Sequence, residues 1–417
     1  MYKILKISII ASLAISSAYS SDVTNVKDMF ANGKVSGQIR LGYIDNSAAT
    51  AGAKDTSATA LGGQLKFETA TFNGVSLGAA AYTSHSIMAL SGDQAQGKFN
   101  DDLSSTEKHY TEMAEAYVNL NYSGINFRAG RQVLDTPLAD GDDIRMTPNT
   151  FEAYVVSYTI EDLGLTLIGA NVQRWQGWDS KTAGGVSYAN VINNRWSETG
   201  VDGTWMAAAL YANDTVELGA WYYDVTKNAK AVYVDATGNL DLGSGAKLTL
   251  AAQYLTESES NDAAGAPSGI DGSICGVMAE ASHMGLTIGL AYDRVSVDSG
   301  KQIFEGFGGG SSYTNMDTMT AGTLHDGTYK DGTSYVGSIA YDLMGANLFA
   351  AYGDFKADAV GAGAKAHVTE LDLGVEYAHN DGEIDFALYY VMGKDKESST
   401  NTAFDDDHIQ LTVNYNF

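Results

Sequence analysis

The chain has 417 residues, a formal net charge of −26 and a single cysteine, Cys275. The excess of acidic side chains argues against a nucleic-acid partner, and one cysteine excludes an internal disulfide framework. A soluble chain of this length would ordinarily contain about two or three domains, but only three prolines are present and no linker rich in Pro or Ser divides the sequence.

Residues 1–20, MYKILKISIIASLAISSAYS, have the organisation of a secretory signal peptide. Lys3 and Lys6 supply the basic region, residues 7–15 form a short apolar core, and Ala18-Tyr19-Ser20 supplies the small residues of a cleavage site. The rest of the chain is therefore expected to be exported. No later apolar run is long enough to predict a membrane helix.

Predicted strands follow one another from residue 34 to the last residue. They are short segments rich in apolar residues, mostly with a period of two, and turn-forming residues separate them. Eighteen strands are predicted, at 34–43, 61–70, 75–83, 111–122, 125–132, 150–160, 164–174, 203–212, 215–226, 230–241, 246–256, 273–282, 285–297, 333–342, 345–355, 367–378, 383–392 and 408–417.

The connections between these strands alternate in length. Short ones contain pairs such as Asn73-Gly74, which supply the positive φ of a tight hairpin. Short turns at one end and long loops at the other are typical of bacterial outer-membrane barrels, whereas a soluble sandwich does not segregate its loops in this way. Apart from a short connection at 226–229, the long ones are 44–60, 84–110, 133–149, 175–202, 257–272, 298–332, 356–366 and 393–407.

The final segment, His408–Phe417, reads HIQLTVNYNF and alternates apolar and polar residues without a break. About ten residues suffice for a tilted strand to cross a bilayer, and Phe417 at its end is similar to the assembly signal of outer-membrane barrels. The sequence therefore predicts an all-β protein, a single transmembrane antiparallel β-barrel of about 18 strands. Its parts would be a signal peptide (1–20), a periplasmic N-terminal segment (21–33) and the barrel itself (34–417).

The alternation also assigns the two faces of the strands. In the first two strands, Ile39, Leu41, Leu61 and Leu65 oppose polar and charged residues. If the apolar faces meet lipid, the charged faces must line a water-filled lumen, because an unpaired charge in a dry core is too costly. The residues predicted to line this lumen are Arg40, Lys66, Glu68, Glu115, Arg128, Glu370, Asp372, Glu376, Glu383 and Asp385.

The loop 133–149, VLDTPLADGDDIRMTPN, is the predicted constriction of the channel. Two prolines stiffen it, and its charged residues are Asp135, Asp140, Asp142, Asp143 and Arg145. These carboxylates offer oxygen ligands of the type that Ca²⁺ prefers, but the segment lacks the spacing and the closing glutamate of an EF-hand. Solvated acids, with no cofactor, are therefore the favoured interpretation.

Motifs in and beside this loop resemble the OprD-like family of outer-membrane porins. They are Gly130-Arg131-Gln132, Thr136-Pro137-Leu138 and Pro148-Asn149-Thr150-Phe151-Glu152, and the start of the barrel at residues 32–40 is also similar to the major porins of Campylobacter-like bacteria. The resemblance implies that the third long loop folds into the lumen and that an inward row of arginines guides anionic groups past it. Candidates for this row are Arg40, Arg128, Arg131, Arg145 and Arg174, although Arg131 has the opposite parity to Arg128 and would need a bulge or a place at the loop edge.

The sequence thus predicts a porin in the outer membrane of a Gram-negative bacterium, which passes small hydrophilic solutes and ions by passive diffusion. Acidic residues outnumber basic ones on the assigned lumen faces, which favours a weak cation preference. The family resemblance implies the alternative, a substrate-selective channel for carboxylates or amino acids. A barrel enzyme is less favoured, because the seven histidines are scattered and no serine lies in a nucleophile-elbow pattern; a surface adhesin is also less favoured.

The expected partners follow from this location. They are outer-membrane lipid and lipopolysaccharide, the barrel-assembly machinery that would read Phe417, and small hydrophilic solutes, but not nucleic acid. A homotrimer is the assembly to test.

Overall fold

A computed structural model describes residues 23–48, 52–178, 180, 191, 196–261, 268–325, 327, 329–359, 365–397 and 405–417. The predicted signal peptide, 1–20, lies outside the described residues.

Eighteen long antiparallel strands form one closed barrel, which confirms the predicted fold class. The barrel strands are β1 (Lys34–Ala48), β2 (Thr56–Glu68), β3 (Val75–Ser86), β4 (His109–Tyr122), β5 (Ile125–Gln132), β8 (Thr150–Ile160), β9 (Leu165–Gln176), β11 (Thr204–Ala212), β12 (Val216–Val225), β13 (Ala229–Gly243), β14 (Ala246–Glu259), β15 (Gly272–His283), β16 (Leu286–Val297), β17 (Tyr329–Leu343), β18 (Ala346–Ala359), β19 (Ala366–His379), β20 (Ile384–Asp395) and β21 (Asp406–Asn416).

Three two-residue strands and a short helix accompany the barrel strands. Strands β6 (Asp135–Thr136) and β7 (Ala139–Asp140) pair with each other as a small hairpin between β5 and β8, and β10 (Ser197–Glu198) pairs with the end of β9. Helix α1 (Val26–Ala31) precedes β1, and the Asn25 side chain caps it by accepting a hydrogen bond from the backbone N–H of Asp28 at 2.9 Å. No helix of the described part is long and apolar enough to cross a membrane.

The first and last strands close the barrel. Strand β1 pairs with β21 from Gln38 opposite Asn416 to Ala48 opposite Asp406. One residue beyond, the backbone N–H of Gly37 donates to the carbonyl of Phe417 at 2.8 Å, and the N–H of Phe417 donates back at 3.0 Å. Phe417 is therefore part of the seam, and the pairing of the described strands leaves no free edge among them in lipid.

Tight turns at one end of the barrel have left-handed backbone at both central positions. Asn73 (φ 49°) is followed by Gly74 (φ 79°), which is the type I′ geometry that fits the twist of a hairpin. Met284 and Met344 adopt the same strained φ in the turns before β16 and β18, each followed by glycine. The long loops all leave the opposite end, which is the extracellular end in barrels of this type.

The faces predicted from alternation in the first two strands are those of the structure. Ile39, Leu61 and Leu65 are exposed on the outer wall, where lipid would cover them. Exposed aromatic residues flank this apolar band, as expected for the interfacial girdles; they include Tyr122, Tyr158, Tyr341 and Tyr415 toward the turns and Trp205, Tyr254 and Tyr335 toward the loops.

The inside of the barrel is partly filled by its own loops. A buried apolar cluster joins the loop 133–149, the inner faces of β8 to β16 and residues of the loop after β16, with Leu138, Tyr223 and Phe307 among its members. A second cluster joins Met316 and Met319 of that later loop to the inner faces of β17 to β19. The sequence indicates only the loop 133–149 as a lumen loop, and the structure adds this later loop to it.

Candidate functional site

The loop 133–149 crosses the lumen and reaches the seam between β1 and β21. It leaves β5, turns through the β6–β7 hairpin and packs Leu134 and Leu138 into the apolar cluster on one side. On the other side Met146 is buried against Ile44 of β1 and Leu103 of the loop before β4. The loop is thereby anchored at both ends, as a constriction requires.

Arg40 holds the tip of this loop to the wall. Its guanidinium donates to both carboxylate oxygens of Asp143, at 2.6 and 2.9 Å, and to the backbone carbonyl of Arg145 at 2.6 Å. Its Nε donates to Asn414 of β21 at 2.8 Å. The pair is asymmetric, because the Arg40 side chain is 6% exposed whereas that of Asp143 is 42% exposed. Water in the lumen therefore meets the carboxylate more than the guanidinium.

Arg145 lies deeper and is held from several directions. It donates to the side-chain oxygen of Gln410 at 2.6 Å, and its guanidinium carbon lies 4.8 Å from the ring centroid of Trp178. Its Nη1 is 3.9 Å from a carboxylate oxygen of Asp317, whose other oxygen is 2.8 Å from Nε2 of His408. This charge is buried and compensated, so it contributes little free positive potential to the lumen.

A second loop, 298–328, completes the constriction from the other side. Wall carboxylates accept hydrogen bonds from its backbone: Glu257 from the N–H of Phe304, and Glu370 from the N–H groups of Thr318 and Met319, each at 2.8 Å. Asp293 accepts from both the N–H and the hydroxyl of Thr314 at 2.8 Å. Hydrogen bonds of this kind satisfy amides that would otherwise be buried without a partner.

The two loops also pair with each other. The N–H of Phe307 donates to the carbonyl of Leu138 at 2.9 Å, and the N–H of Asp140 donates to the carbonyl of Phe307 at 3.0 Å. The ring of Phe307 lies 5.7 Å from that of Trp175. Loop 133–149 and the described part of loop 298–328 thus pack together as one partition inside the barrel.

A small cavity of about 50 Å³ remains between this partition and the wall. The carboxylates of Asp143, Asp317 and Asp385 line it together with the guanidiniums of Arg40 and Arg145. Asp143 is paired with Arg40, and Asp317 lies at ion-pair distance from Arg145. Asp385 accepts hydrogen bonds from Asn414 and Asn416, which carry no charge. The lining of this cavity therefore contains three aspartates and two arginines.

Several predicted lumen residues form their own contacts on the inner wall. Lys66 pairs with Glu115 at 3.1 Å and lies 4.0 Å from Glu68. Arg128 faces inward, with its guanidinium carbon 4.4 Å from the ring centroid of Tyr117. The remaining inward acids accept hydrogen bonds from neutral donors: Glu376 from Tyr389 at 2.7 Å, and Asp385 from Asn414 and Asn416 at 2.7 and 2.8 Å. Asp372 is also on the inner face, beside Asp317.

Two arginines predicted to line the pore lie on the outer wall instead. Arg131 follows Gly130 without a bulge, so it keeps the opposite face from Arg128 and lies 3.9 Å from Glu152. Arg174 pairs with Glu152 at 2.8 Å, because the register of β8 and β9 skips Gln173 and turns Arg174 outward. Their prediction as lumen residues is wrong. The predicted lumen position of Glu383 is also wrong, because this residue ends the turn before β20 and is exposed there.

The predicted acids of loop 133–149 do not all face the pore. Asp135 and Asp140 lie opposite each other in the β6–β7 hairpin, and Asp142 donates its N–H to a side-chain oxygen of Asp140 at 3.1 Å. Only Asp143 of the four is exposed.

Among the described residues, no group of three or more His, Cys, Asp or Glu side chains is arranged to hold a metal ion. Ca²⁺ binding at this loop stays an untested prediction.

Sequence reasoning misses the contribution of loop 298–328. Asp317, Glu257 and Asp293 carry the contacts that bring this loop inward, and none of them is among the sequence candidates. The signal that could find them is the presence of Tyr313, Met316 and Met319 within a Gly-rich stretch, since large apolar residues in an exposed loop would be unusual.

An eighteen-stranded barrel with short turns at one end, an apolar outer band and two loops folded into a charged lumen is an outer-membrane porin. The chain belongs to the OprD family: the family model described as outer membrane porin, OprD family, matches residues 27–417. It is therefore a protein of the outer membrane of a Gram-negative bacterium, as predicted.

Solved structures with this fold include porins of two bacteria. Pseudomonas aeruginosa OpdK with vanillate is 19% identical with a TM-score of 0.74, and OccK9 (OpdG) of the same organism is 16% identical with a TM-score of 0.76; each comparison covers 93% of this chain and 99% of the other. Acinetobacter baumannii OccAB2 is 15% identical with a TM-score of 0.74, covering 94% and 99%. No match was found among curated protein sequences.

Proposed function

We propose that this porin is a water-filled diffusion channel for small hydrophilic solutes and ions with a weak preference for cations. The observation that carries the proposal is the exposure of the Arg40–Asp143 pair, in which the carboxylate is 42% and the guanidinium 6% exposed. At the constriction the solute meets negative charge, and the positive charge lies behind it. A ring or patch of carboxylates in a narrow pore raises the local concentration of cations.

The wall on either side of the constriction supports the same preference. Glu68 is 43% exposed next to Lys66, which is 25% exposed and shared with Glu115. Glu376 and Asp385 accept hydrogen bonds from neutral hydroxyl and amide donors, which do not cancel the charge of a carboxylate. The preference is expected to be moderate and to weaken at high salt, because screening shortens the range of these charges.

A second candidate function is a channel selective for carboxylates. Arg128 is the observation in its favour: it faces the lumen over Tyr117, and no carboxylate within 4.0 Å of it is found in the described part of the chain. The related OpdK was solved with vanillate, which is a carboxylate. On this hypothesis Arg128 would hold the anionic group of a solute that has already passed Asp143.

Swelling of proteoliposomes in two sugars of similar size and opposite charge distinguishes the two candidates. Purified protein would be reconstituted, and the entry rates of glucosamine, a cation, and glucuronate, an anion, would be compared. The cation-preferring channel admits glucosamine faster, and the Asp143→Asn variant narrows the difference. Faster entry of glucuronate, reduced by Arg128→Gln, would support the carboxylate channel. No swelling with either solute would contradict both.

A further inference from the structure

We propose that a groove on the outer wall binds the phosphate of a lipid headgroup in the extracellular leaflet. The groove lies across strands β16 to β19 and has a volume of about 330 Å³. Its basic residues are Arg294, Lys356, Lys365 and His367. None of these takes part in the channel, so the inference is independent of the proposed cation preference.

The register of the strands brings three of these residues into one row. Arg294 lies opposite Thr333, Thr333 opposite Lys356, and Lys356 opposite His367, each on the next strand around the barrel. Adjacent strands are about 4.8 Å apart, so the row spans roughly 14 Å. Parity puts all of them on the face that carries the exposed Tyr335, which is the lipid-facing side.

The height of the row matches that of lipid headgroups. Tyr292 and Tyr335 lie opposite each other in the girdle near the loops, with ring centroids 4.8 Å apart. Arg294 and Thr333 form the next outward-facing pair along the same two strands, two residues closer to the extracellular end. Basic side chains immediately beyond an aromatic girdle are at the level of lipid phosphates.

Two carboxylates in or beside the groove are paired with its lysines and histidine. Asp354 pairs with Lys356 at 2.8 Å and with His367 at 2.9 Å, and Asp358 pairs with Lys365 at 2.9 Å. Asp331 accepts from the hydroxyl of Ser296 at 2.8 Å; Glu397 is the other acid of the groove. These contacts position the lysines beside the groove.

Arg294 supplies a guanidinium that is not held in an ion pair with any described residue. It is exposed, and no carboxylate of the described residues lies within ion-pair distance of it. A guanidinium can hold two phosphate oxygens at once, and a lysine ammonium bonded to one carboxylate retains two further donors. Arg294 together with Lys356 therefore fits one phosphate group, with Lys365 at the rim.

The outward Arg131 provides a matched control. It is also an arginine on the lipid-facing side near the extracellular end, but it lies 3.9 Å from Glu152, and its guanidinium carbon is 4.8 Å from the ring centroid of Trp196. Arg131 lies outside the groove and already contacts Glu152 and Trp196, so the variant Arg131→Gln should not affect binding at the groove. The test variant is the double substitution Arg294→Gln and Lys356→Gln.

The experiment measures the temperature at which the folded barrel unfolds in detergent, by the shift of its band on an unboiled gel. It is repeated over a titration with diphosphoryl lipid A, with the same lipid after removal of its phosphates, and with inorganic phosphate. Ligand that binds only the folded state raises this temperature in a concentration-dependent way. Bilayer conductance of each variant shows that its barrel has folded.

Diphosphoryl lipid A should stabilise the wild type and Arg131→Gln equally, and the double variant should need about tenfold more lipid for the same effect. An equal response of the wild type and the double variant would overturn the site. An equal response to the dephosphorylated lipid would overturn the role of phosphate. Full stabilisation by inorganic phosphate alone would replace the lipid with the free anion as the ligand.

Discussion

Arg40 of strand β1 and Asp143 of the loop 133–149 form a two-point ion pair, with nitrogen–oxygen distances of 2.6 and 2.9 Å, that fastens the constriction to the barrel seam. The arginine is the buried partner and the aspartate is the exposed one. This orientation is the reason for the proposed cation preference, in which a passing ion meets the carboxylate before the guanidinium.

Replacement of Asp143 by Asn should therefore change selectivity by itself. The variant removes the exposed carboxylate and frees the charge of Arg40, so the permeability ratio of K⁺ to Cl⁻ should fall by about twofold, the effect of a partly exposed pair. Reversal potentials in a KCl gradient measure this ratio. The control is Asp140→Asn in the same loop, which lies in the β6–β7 hairpin and should leave the ratio unchanged. Equal effects of the two variants would contradict the assignment of Asp143.

Replacement of Arg145 by Gln should shift selectivity in the opposite direction. It removes the cation 3.9 Å from Asp317, so the negative potential in the lumen rises and the K⁺ preference should increase. Arg174→Gln is the matched control, because that arginine lies on the outer wall. A change in the control as large as that in Arg145→Gln would show that the faces are assigned incorrectly.

Glu370 should determine how firmly the loop 298–328 stays in the lumen. Glu370→Ala leaves the N–H groups of Thr318 and Met319 without their acceptor, at a cost of about 1–3 kcal/mol each if they stay buried. We expect larger and noisier single-channel currents and faster proteolysis of the loop. Glu376→Gln is the control on the same face, since its carboxylate binds Tyr389. Steady currents of wild-type size in Glu370→Ala would contradict this role.

The strands and their faces could be predicted from the sequence because they follow from a local rule. Ile409, Leu411 and Val413 alternate with polar residues, and one face of a membrane barrel must be apolar along its whole length. Lys66 and Glu115 fall on the inner face for the same reason, and the structure pairs them. The alternation of apolar and polar residues does not determine where a strand ends. For example, β1 continues to Ala48, five residues past its predicted end.

The residues that escaped prediction depend on tertiary contacts. Arg174 is turned outward by the unpaired Gln173, and a bulge of this kind has no clear sequence signature. Asp317 enters the site because Glu257, Asp293 and Glu370, from three different strands, accept the backbone of its loop. Such contacts join residues far apart in the chain, so no local pattern indicates them.

Phe417 should support assembly through its ring as well as its backbone. Deletion of Phe417 removes both hydrogen bonds to Gly37, whereas Phe417→Ala keeps them and loses only the ring. If the aromatic residue is the assembly signal, both variants should accumulate in the periplasm and show little of the unboiled, faster band that a closed barrel gives. Normal outer-membrane levels of Phe417→Ala would show that the ring serves only the interfacial girdle.

The reversal potential of the wild-type channel in a KCl gradient tests the central claim most directly. A planar bilayer containing the purified protein should show single-channel conductance and a reversal potential of the sign that K⁺ permeation gives. The size of this reversal potential should decrease when the KCl concentration is raised on both sides at a constant ratio, because salt screens the carboxylates of the lumen. A reversal potential of the sign for Cl⁻ would contradict the account, since the exposed Asp143 and the buried Arg40 would then not set the charge of the constriction.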